Sequence, residues 1–336
     1  MTTCPVCASA SVSSGNRFSA TSSEAAQHFV LAEADTIRHR TLKAHIESLW
    51  SAPACTMMSC NNCGLGFAQP FVAGDAEFYN LAYPFSDYPQ DKWEFAVTLK
   101  ALEQLETKDM RCIEVGAGFG HFLNKVSPRF FRADHTTAIE YNSVAGRRLT
   151  QGGFNLVNLD VRSEAFASAE SAFDFVFMFQ VLEHMDDLAS LTKRLRYITS
   201  DGAHIFIAVP NPARIAFNER SSSLLDMPPN HISLWTRQAL EQFALQLGFD
   251  LVNFLVEPLA WSKLIRQDLV YSFMRRSQRH GSLENRLRSR PRSRLRRLAE
   301  AALALCAIPV RIPSWIRAMT SGQQLGGSIW VSLRKR

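Results

Sequence analysis

From residue 112 onward the chain alternates short apolar runs with longer amphipathic stretches. The runs cover 112–115, 136–140, 154–158, 173–179 and 203–209. Each is too short for a helix and is bounded by polar or glycine-containing segments, which predicts strands. The stretches between them have helical spacing, and a helix over 91–106 precedes the first run. Strands that alternate with helices predict an α/β fold with a parallel, doubly wound sheet covered on both faces. The run Phe173-Asp174-Phe175-Val176-Phe177-Met178-Phe179 is almost wholly apolar, as a central strand buried on both sides requires. A helix over 236–247, stopped by Gly248, and strands over 250–256 and 327–333 extend the pattern. A helix is expected over 23–50, after a Ser-rich stretch at 10–23. Loops are expected over 70–90, with Tyr79, Tyr83, Pro84, Phe85 and Tyr88, and over 210–235. The segment 258–325 is Arg-rich and reads as helical, with an apolar helix near 298–310 followed by Ile312, Trp315 and Ile316.

Composition changes this picture in one respect. The 336 residues are 46% apolar and 20% charged, values of a folded globular chain that exclude global disorder. The net charge of +6 points to an acidic partner, but it is unevenly spread. Residues 261–336 hold 17 Lys/Arg and 3 Asp/Glu, while 1–260 hold 20 and 28. The chain is an acidic body with a basic tail. No run of about 18 uncharged apolar residues occurs, so no transmembrane helix is expected. The N-terminus has no basic-then-apolar signal pattern, so a cytoplasmic protein is expected.

Between strand 112–115 and the helix that follows lies Glu114-Val115-Gly116-Ala117-Gly118-Phe119-Gly120. Glycines at such a turn let a ligand approach the backbone, and a helix start adds unpaired N–H groups. A plain strand–helix turn also uses glycine. Glu140 ends the next strand, twenty residues past Gly120, where a carboxylate can accept from both hydroxyls of a ribose. The context therefore favours a nucleoside cofactor. Dinucleotide sites use the wider G-x-G-x-x-G, and Glu114 would repel a pyrophosphate but suits cationic groups.

These residues resemble the class I S-adenosylmethionine-dependent methyltransferases. The resemblance covers about 91–257 and the last strand. It also rests on Asp160 after the third strand, on Gln180-Val181-Leu182-Glu183-His184 after the fourth, and on Pro228-Pro229-Asn230-His231-Ile232-Ser233-Leu234-Trp235-Thr236. It implies a seven-stranded Rossmann-like sheet of order 3-2-1-4-5-7-6 with an antiparallel seventh strand. It also implies that Glu114, Gly116, Ala117, Gly118 and Gly120 lie against the methionine part of the cofactor. Glu140 would hold the ribose, Asp160 would reach the adenine amino group, and Gln180 would line the methyl-transfer pocket. Residues 327–333 would be the seventh strand, which makes 258–325 an insertion. The expected organisation is a zinc-binding module with a helical insert at 1–75, the core at 76–257, the insertion at 258–325 and the last strand at 326–336.

Four of seven cysteines fall in the pairs Cys4-x-x-Cys7 and Cys60-x-x-Cys63. In a chain that is not secreted, such pairs favour a tetrahedral Cys₄ zinc site. Free thiols and redox chemistry remain alternatives, and Cys55 is a competing ligand. The gap of 52 residues between the pairs is long for a compact ribbon, but methyltransferases acting on sugars and other small molecules resemble this arrangement.

Methyl transfer from a sulfonium needs an acceptor that loses its proton, and histidine suits that base role. His184 and His231 are the candidates, each with a purely structural alternative. Some small-RNA methyltransferases resemble this chain with E-x-x-E-H plus a downstream histidine holding a divalent ion. Gln180 replaces the first acid here, which speaks against such a metal. The expectation is therefore methylation, preferably at oxygen, of a small molecule or glycan. The rival is a nucleic-acid methyltransferase whose zinc module and Arg-rich insertion read the substrate. The basic segment 286–316 is open to three readings: contact with the inner membrane surface, a solvated or oligomer-forming arm, and nucleic-acid binding.

Overall fold

In the computed structural model of the chain, the residues described are 2–14, 19–83, 89–127, 129–220, 227–291 and 293–336. Pro84, Phe85 and Tyr88 of the expected Tyr-rich loop lie outside them, as does Arg292 of the basic segment.

The N-terminal segment forms β1 (Val12–Ser13), β2 (Ser19–Thr21), β3 (Ala54–Cys60) and β4 (Gly66–Gln69). They make an antiparallel sheet in which β3 pairs with the other three. Neither β3 nor β4 is apparent in the sequence, because small and polar residues blur their alternation. Only the burial of Cys55 and Met57 shows it. The helix expected over 23–50 is two helices, Ser22–Phe29 and Thr36–Trp50. Thr21 and Glu24 cap the first reciprocally, and Asp35 caps the second by accepting from the Arg38 N–H at 3.0 Å. Two separate N-caps in one stretch enforce the break.

The main sheet contains β5 (Cys112–Val115), β6 (Thr136–Ile139), β7 (Asn155–Val157), β8 (Phe173–Phe179) and β9 (Thr199–Pro210). The loop after β9 contributes β10 (Ser233–Leu234) to the small sheet, antiparallel to β4. β11 (Phe249–Val256) and β12 (Ser328–Lys335) complete the main sheet. Its order is β7-β6-β5-β8-β9-β12-β11. Strands β5 to β9 run parallel, and β12 is antiparallel to both neighbours. This is the 3-2-1-4-5-7-6 arrangement expected.

Strand β8 is the centre. Phe175, Phe177 and Phe179 pack with Phe122, Phe206 and Trp330 on one face, and Val176 and Met178 pack with Leu191, Ile207 and Phe243 on the other. Two segments expected to be loops hold helices, Ala76–Ala82 and Pro212–Arg220. Asp75 starts the former by accepting from the Phe78 N–H at 2.8 Å.

Segment 258–325 folds as Trp261–Ser277, Leu283–Arg288, Arg294–Leu305 and Ile308–Thr320. The apolar helix expected near 298–310 is thus split between the last two. Asp268, fully buried, accepts from Arg311 through Nε and Nη2 at 2.9 Å each and from Trp315 Nε1 at 2.7 Å. No single helix among the described residues is long and apolar enough to cross a membrane.

Candidate functional site

The glycine loop is pinned to the end of β6, because the N–H groups of Gly116 and Ala117 both donate to the Ile139 carbonyl at 3.0 Å. Gly116, Gly118 and Gly120 all have positive φ, at 72°, 54° and 73°. A Cβ at Gly116 would lie 2.5 Å from Val181 Cγ2, so a side chain there would collide with the segment after β8. The Glu140 carboxylate closes the turn. Its Oε2 accepts from the Gly118 N–H and its Oε1 from the Asn142 N–H, each at 2.7 Å. Beneath the loop, Glu114 is buried, and its Oε2 has no hydrogen-bond partner among the described residues. Burial pushes its carboxyl well above the usual range, Lys92 opposes this and Glu140 reinforces it. A cationic ligand at the loop would relieve that strain on the ionised form.

Asp160 follows β7 and faces Arg162, whose Nε and Nη2 reach its two oxygens at 2.8 and 2.7 Å. Arg162 also bridges to Asp186 Oδ1 at 2.9 Å. Burial acts to raise the Asp160 carboxyl, but Arg162 and the Tyr141 hydroxyl outweigh it and hold it low. Gln180, with φ 59°, ends β8 and donates from Nε2 to Glu94 Oε1 at 3.1 Å and Ser328 Oγ at 3.2 Å.

His184 and His231, 47 positions apart in the chain, meet edge to face with ring centroids 4.6 Å apart. Backbone bonds bring them together: the Ile232 N–H donates to the Glu183 carbonyl at 2.9 Å, and β10 then joins the small sheet. The Nδ1 of His184 lies 2.6 Å from the Asn230 carbonyl, which can only accept. This fixes the proton on Nδ1, which also lies 3.0 Å from the Tyr79 hydroxyl. Nε2 is left with its lone pair, 3.8 Å from Glu183 Oε1. Burial lowers the His184 pKa to about 3, with His231 adding to the effect, the Asn230 carbonyl opposing it and Lys92 adding again. The ring is therefore neutral at physiological pH, with Nε2 unprotonated but only weakly basic. Glu183, His184 and His231 bring ligand-type atoms within 4.8 Å of one another. Gln180 turns instead to Glu94 and Ser328. Tyr79, Glu183 and Asn230 were not among the expected site residues. Tyr79 stood in the noted Tyr-rich segment, but the helix that aims it at His184 carried no clear sequence signal.

The four paired cysteines converge. The Sγ atoms of Cys4 and Cys63 are 3.6 Å apart and those of Cys7 and Cys60 3.5 Å, with all four within 4.8 Å of one another. Four thiolates about 2.3 Å from one zinc ion sit about 3.8 Å apart, so the set fits tetrahedral zinc. A disulfide needs about 2.0 Å. Cys55 points away, towards the Pro70 carbonyl at 4.0 Å. The cluster is tied to helix Arg237–Leu247: Gln238 Nε2 donates to the Asn62 carbonyl at 2.7 Å, and Gln246 Nε2 donates to the Val6 carbonyl. Burial pushes the Cys4 thiol up to about 11 and the Cys63 thiol higher still, so a metal is needed to hold both as thiolates near neutral pH. Chelation at pH 7 is expected to release about one zinc per chain and to lower the melting temperature by roughly 5 °C, measured by metal analysis and calorimetry.

A family model described as a methyltransferase domain matches residues 86–253. The chain belongs to the class I S-adenosylmethionine-dependent methyltransferases. Solved structures similar to this methyltransferase include an S-adenosylmethionine-dependent methyltransferase from Mesorhizobium loti, 12% identical, with a TM-score of 0.47 over 74% of this chain and 100% of that one. Another, from Archaeoglobus fulgidus, is 16% identical, with a TM-score of 0.42 over 78% of this chain and 100% of that one. No curated protein matches the chain. The methyl donor of this methyltransferase is S-adenosylmethionine, and the Gly116 turn and the orphaned Glu114 oxygen fit a cationic nucleoside ligand of that kind.

Proposed function

We propose that this methyltransferase methylates a hydroxyl of a small-molecule or sugar acceptor, and that it works beside the inner face of a membrane. The observation that carries the acceptor chemistry is the neutral His184 against His231, next to the donor loop. Val181 packs on Gly116 three residues before His184, and Lys92 acts electrostatically on both Glu114 and His184. The bound donor supplies an activated methyl group on a sulfonium. Glu114 and the Gly116–Gly120 backbone would face its cationic end, Glu140 would hold its ribose, Asp160 would meet its adenine amino group, and Gln180 would border the transfer pocket. Of the two catalytic candidates, His231 would take the acceptor proton, and the neutral, weakly basic His184 would sit beside it as its positioning partner. Tyr79 and the Asn230 carbonyl keep the His184 ring oriented. We read 1–75 as a zinc-braced module that shapes the acceptor pocket, 76–257 as the catalytic core, 258–325 as an insertion and 326–336 as the closing strand.

The test offers methyl-labelled donor with a panel of sugar nucleotides and small hydroxylated compounds, and separately with total RNA. Label on a panel compound and none on RNA is expected. Transfer to RNA, or to none of the panel, overturns the acceptor assignment.

A further inference from the structure

Helices Arg294–Leu305 and Ile308–Thr320 are apolar on both sides. Their inward faces are filled, with Ala304, Ala307, Trp315 and Ala318 packed against Phe217, Leu264 and Phe273. Their outward faces present Leu295, Leu298 and Leu305 on the first helix and Ile312, Ile316 and Met319 on the second, all exposed. The spacings, i, i+3, i+10 and i, i+4, i+7, align each set along one side of its helix. Leu295 is 80% exposed and Leu298 68%. Scattered exposed leucines need no explanation, but stripes on two successive helices mark a contact surface.

The charges say what fits there. Segment 258–325 contains three acids, Asp268, Glu284 and Glu300. All three are consumed internally, by Arg311, Arg276 and Arg296. Arg286, Arg290, Arg294, Arg297 and Arg317 are exposed and have no carboxylate partner among the described residues. On the first helix, Arg294 and Arg297 lie beside the leucine stripe. Neither helix alone is long and apolar enough to cross a bilayer, though the pair together has the length and composition of a broken span; the 59° bend between them and the packing of Ala304, Trp315 and Ala318 against the body favour lying along a surface.

We propose that these two outward faces are a docking surface for an anionic phospholipid bilayer. The apolar stripes enter the headgroup boundary and the guanidiniums meet lipid phosphates. This rests on the reading of a peripheral enzyme and deepens it by naming the lipid chemistry and the residues.

The full chain is sedimented with vesicles of equimolar phosphatidylglycerol and phosphatidylcholine, and with phosphatidylcholine vesicles alone. Binding to the anionic vesicles only is expected. Each guanidinium near such a surface is worth about fivefold in partitioning, so Arg294→Gln with Arg297→Gln should weaken it about 25-fold. Leu295→Glu with Leu298→Glu should abolish it. Donor binding measured on the same samples reports folding; in the unmutated chain, donor binding without vesicle binding sinks the docking surface while leaving the enzyme assignment intact. Equal binding to neutral vesicles, no effect of the Leu→Glu pair, or a dimer in sedimentation velocity that Leu298→Glu dissociates would each overturn the proposal. The dimer would assign the stripes to a second copy.

Discussion

Gly118→Arg is expected to abolish S-adenosylmethionine binding, and Glu140→Ala to weaken it by about 10–100-fold, both read by isothermal titration. The two substitutions act on one unit. Gly118 has φ 54°, a region that a side chain adopts at a cost, and its N–H is fixed by the Glu140 carboxylate at 2.7 Å. An arginine there strains the turn and fills the space over the loop. Removing the Glu140 carboxylate frees two backbone N–H groups and deletes the acceptor proposed for the ribose. Charge-assisted hydrogen bonds contribute about 1.5–3 kcal/mol each, which sets the expected range. A melting temperature within a few degrees of wild type confirms that the fold survives. Undiminished donor binding in either variant would remove the glycine loop from the cofactor site.

Much of this organisation was legible in the chain because α/β cores write their strands as dense apolar runs. The run Phe173–Phe179 gave β8 its full extent, and Gly248 marked the end of a helix that closes with φ 77°. The small sheet was not legible. Its β3 reads Cys55-Thr56-Met57-Met58-Ser59, in which the second methionine breaks the alternation, and its β10 is two residues long. β10 depends for its stability on β4, a partner far away in sequence. For the same reason the cysteine spacing pointed to a zinc site but not to its seat on helix Arg237–Leu247. The histidines were found singly. What the sequence could not supply was their meeting, which depends on the Ile232–Glu183 backbone bond and on β10 pairing with β4. The whole-chain charge was a poor guide to partners. The acidic body and the basic insertion point to different contacts, and the proposal of a surface-seeking arm rests on the exposure of Leu295 and Leu298 beside Arg294 and Arg297.

His231→Ala is expected to lower kcat by about 10²–10⁴-fold with donor binding within about twofold of wild type, as the loss of a general base requires, and His184→Gln to lower it by less. The two variants should differ in what they do to pH dependence. His184 is neutral in the folded chain down to about pH 3, against an ordinary value of 6.5 in the unfolded chain. Between those values the unfolded state binds a proton that the folded state does not. Stability is therefore fully present above pH 6.5 and falls as the pH drops towards 3, by about 1.4 kcal/mol per unit from this group. His184→Gln removes that proton, so its denaturation midpoint should decline less steeply than wild type between pH 6.5 and 5. Wild-type kcat should likewise show no acid limb near 6.5 that disappears in His184→Gln. A wild-type slope unchanged by the substitution would mean that the ring is solvated and ordinary. An ordinary ring would make His184 a competent base in its own right, whereas a collapse of kcat confined to His231→Ala assigns the proton to His231.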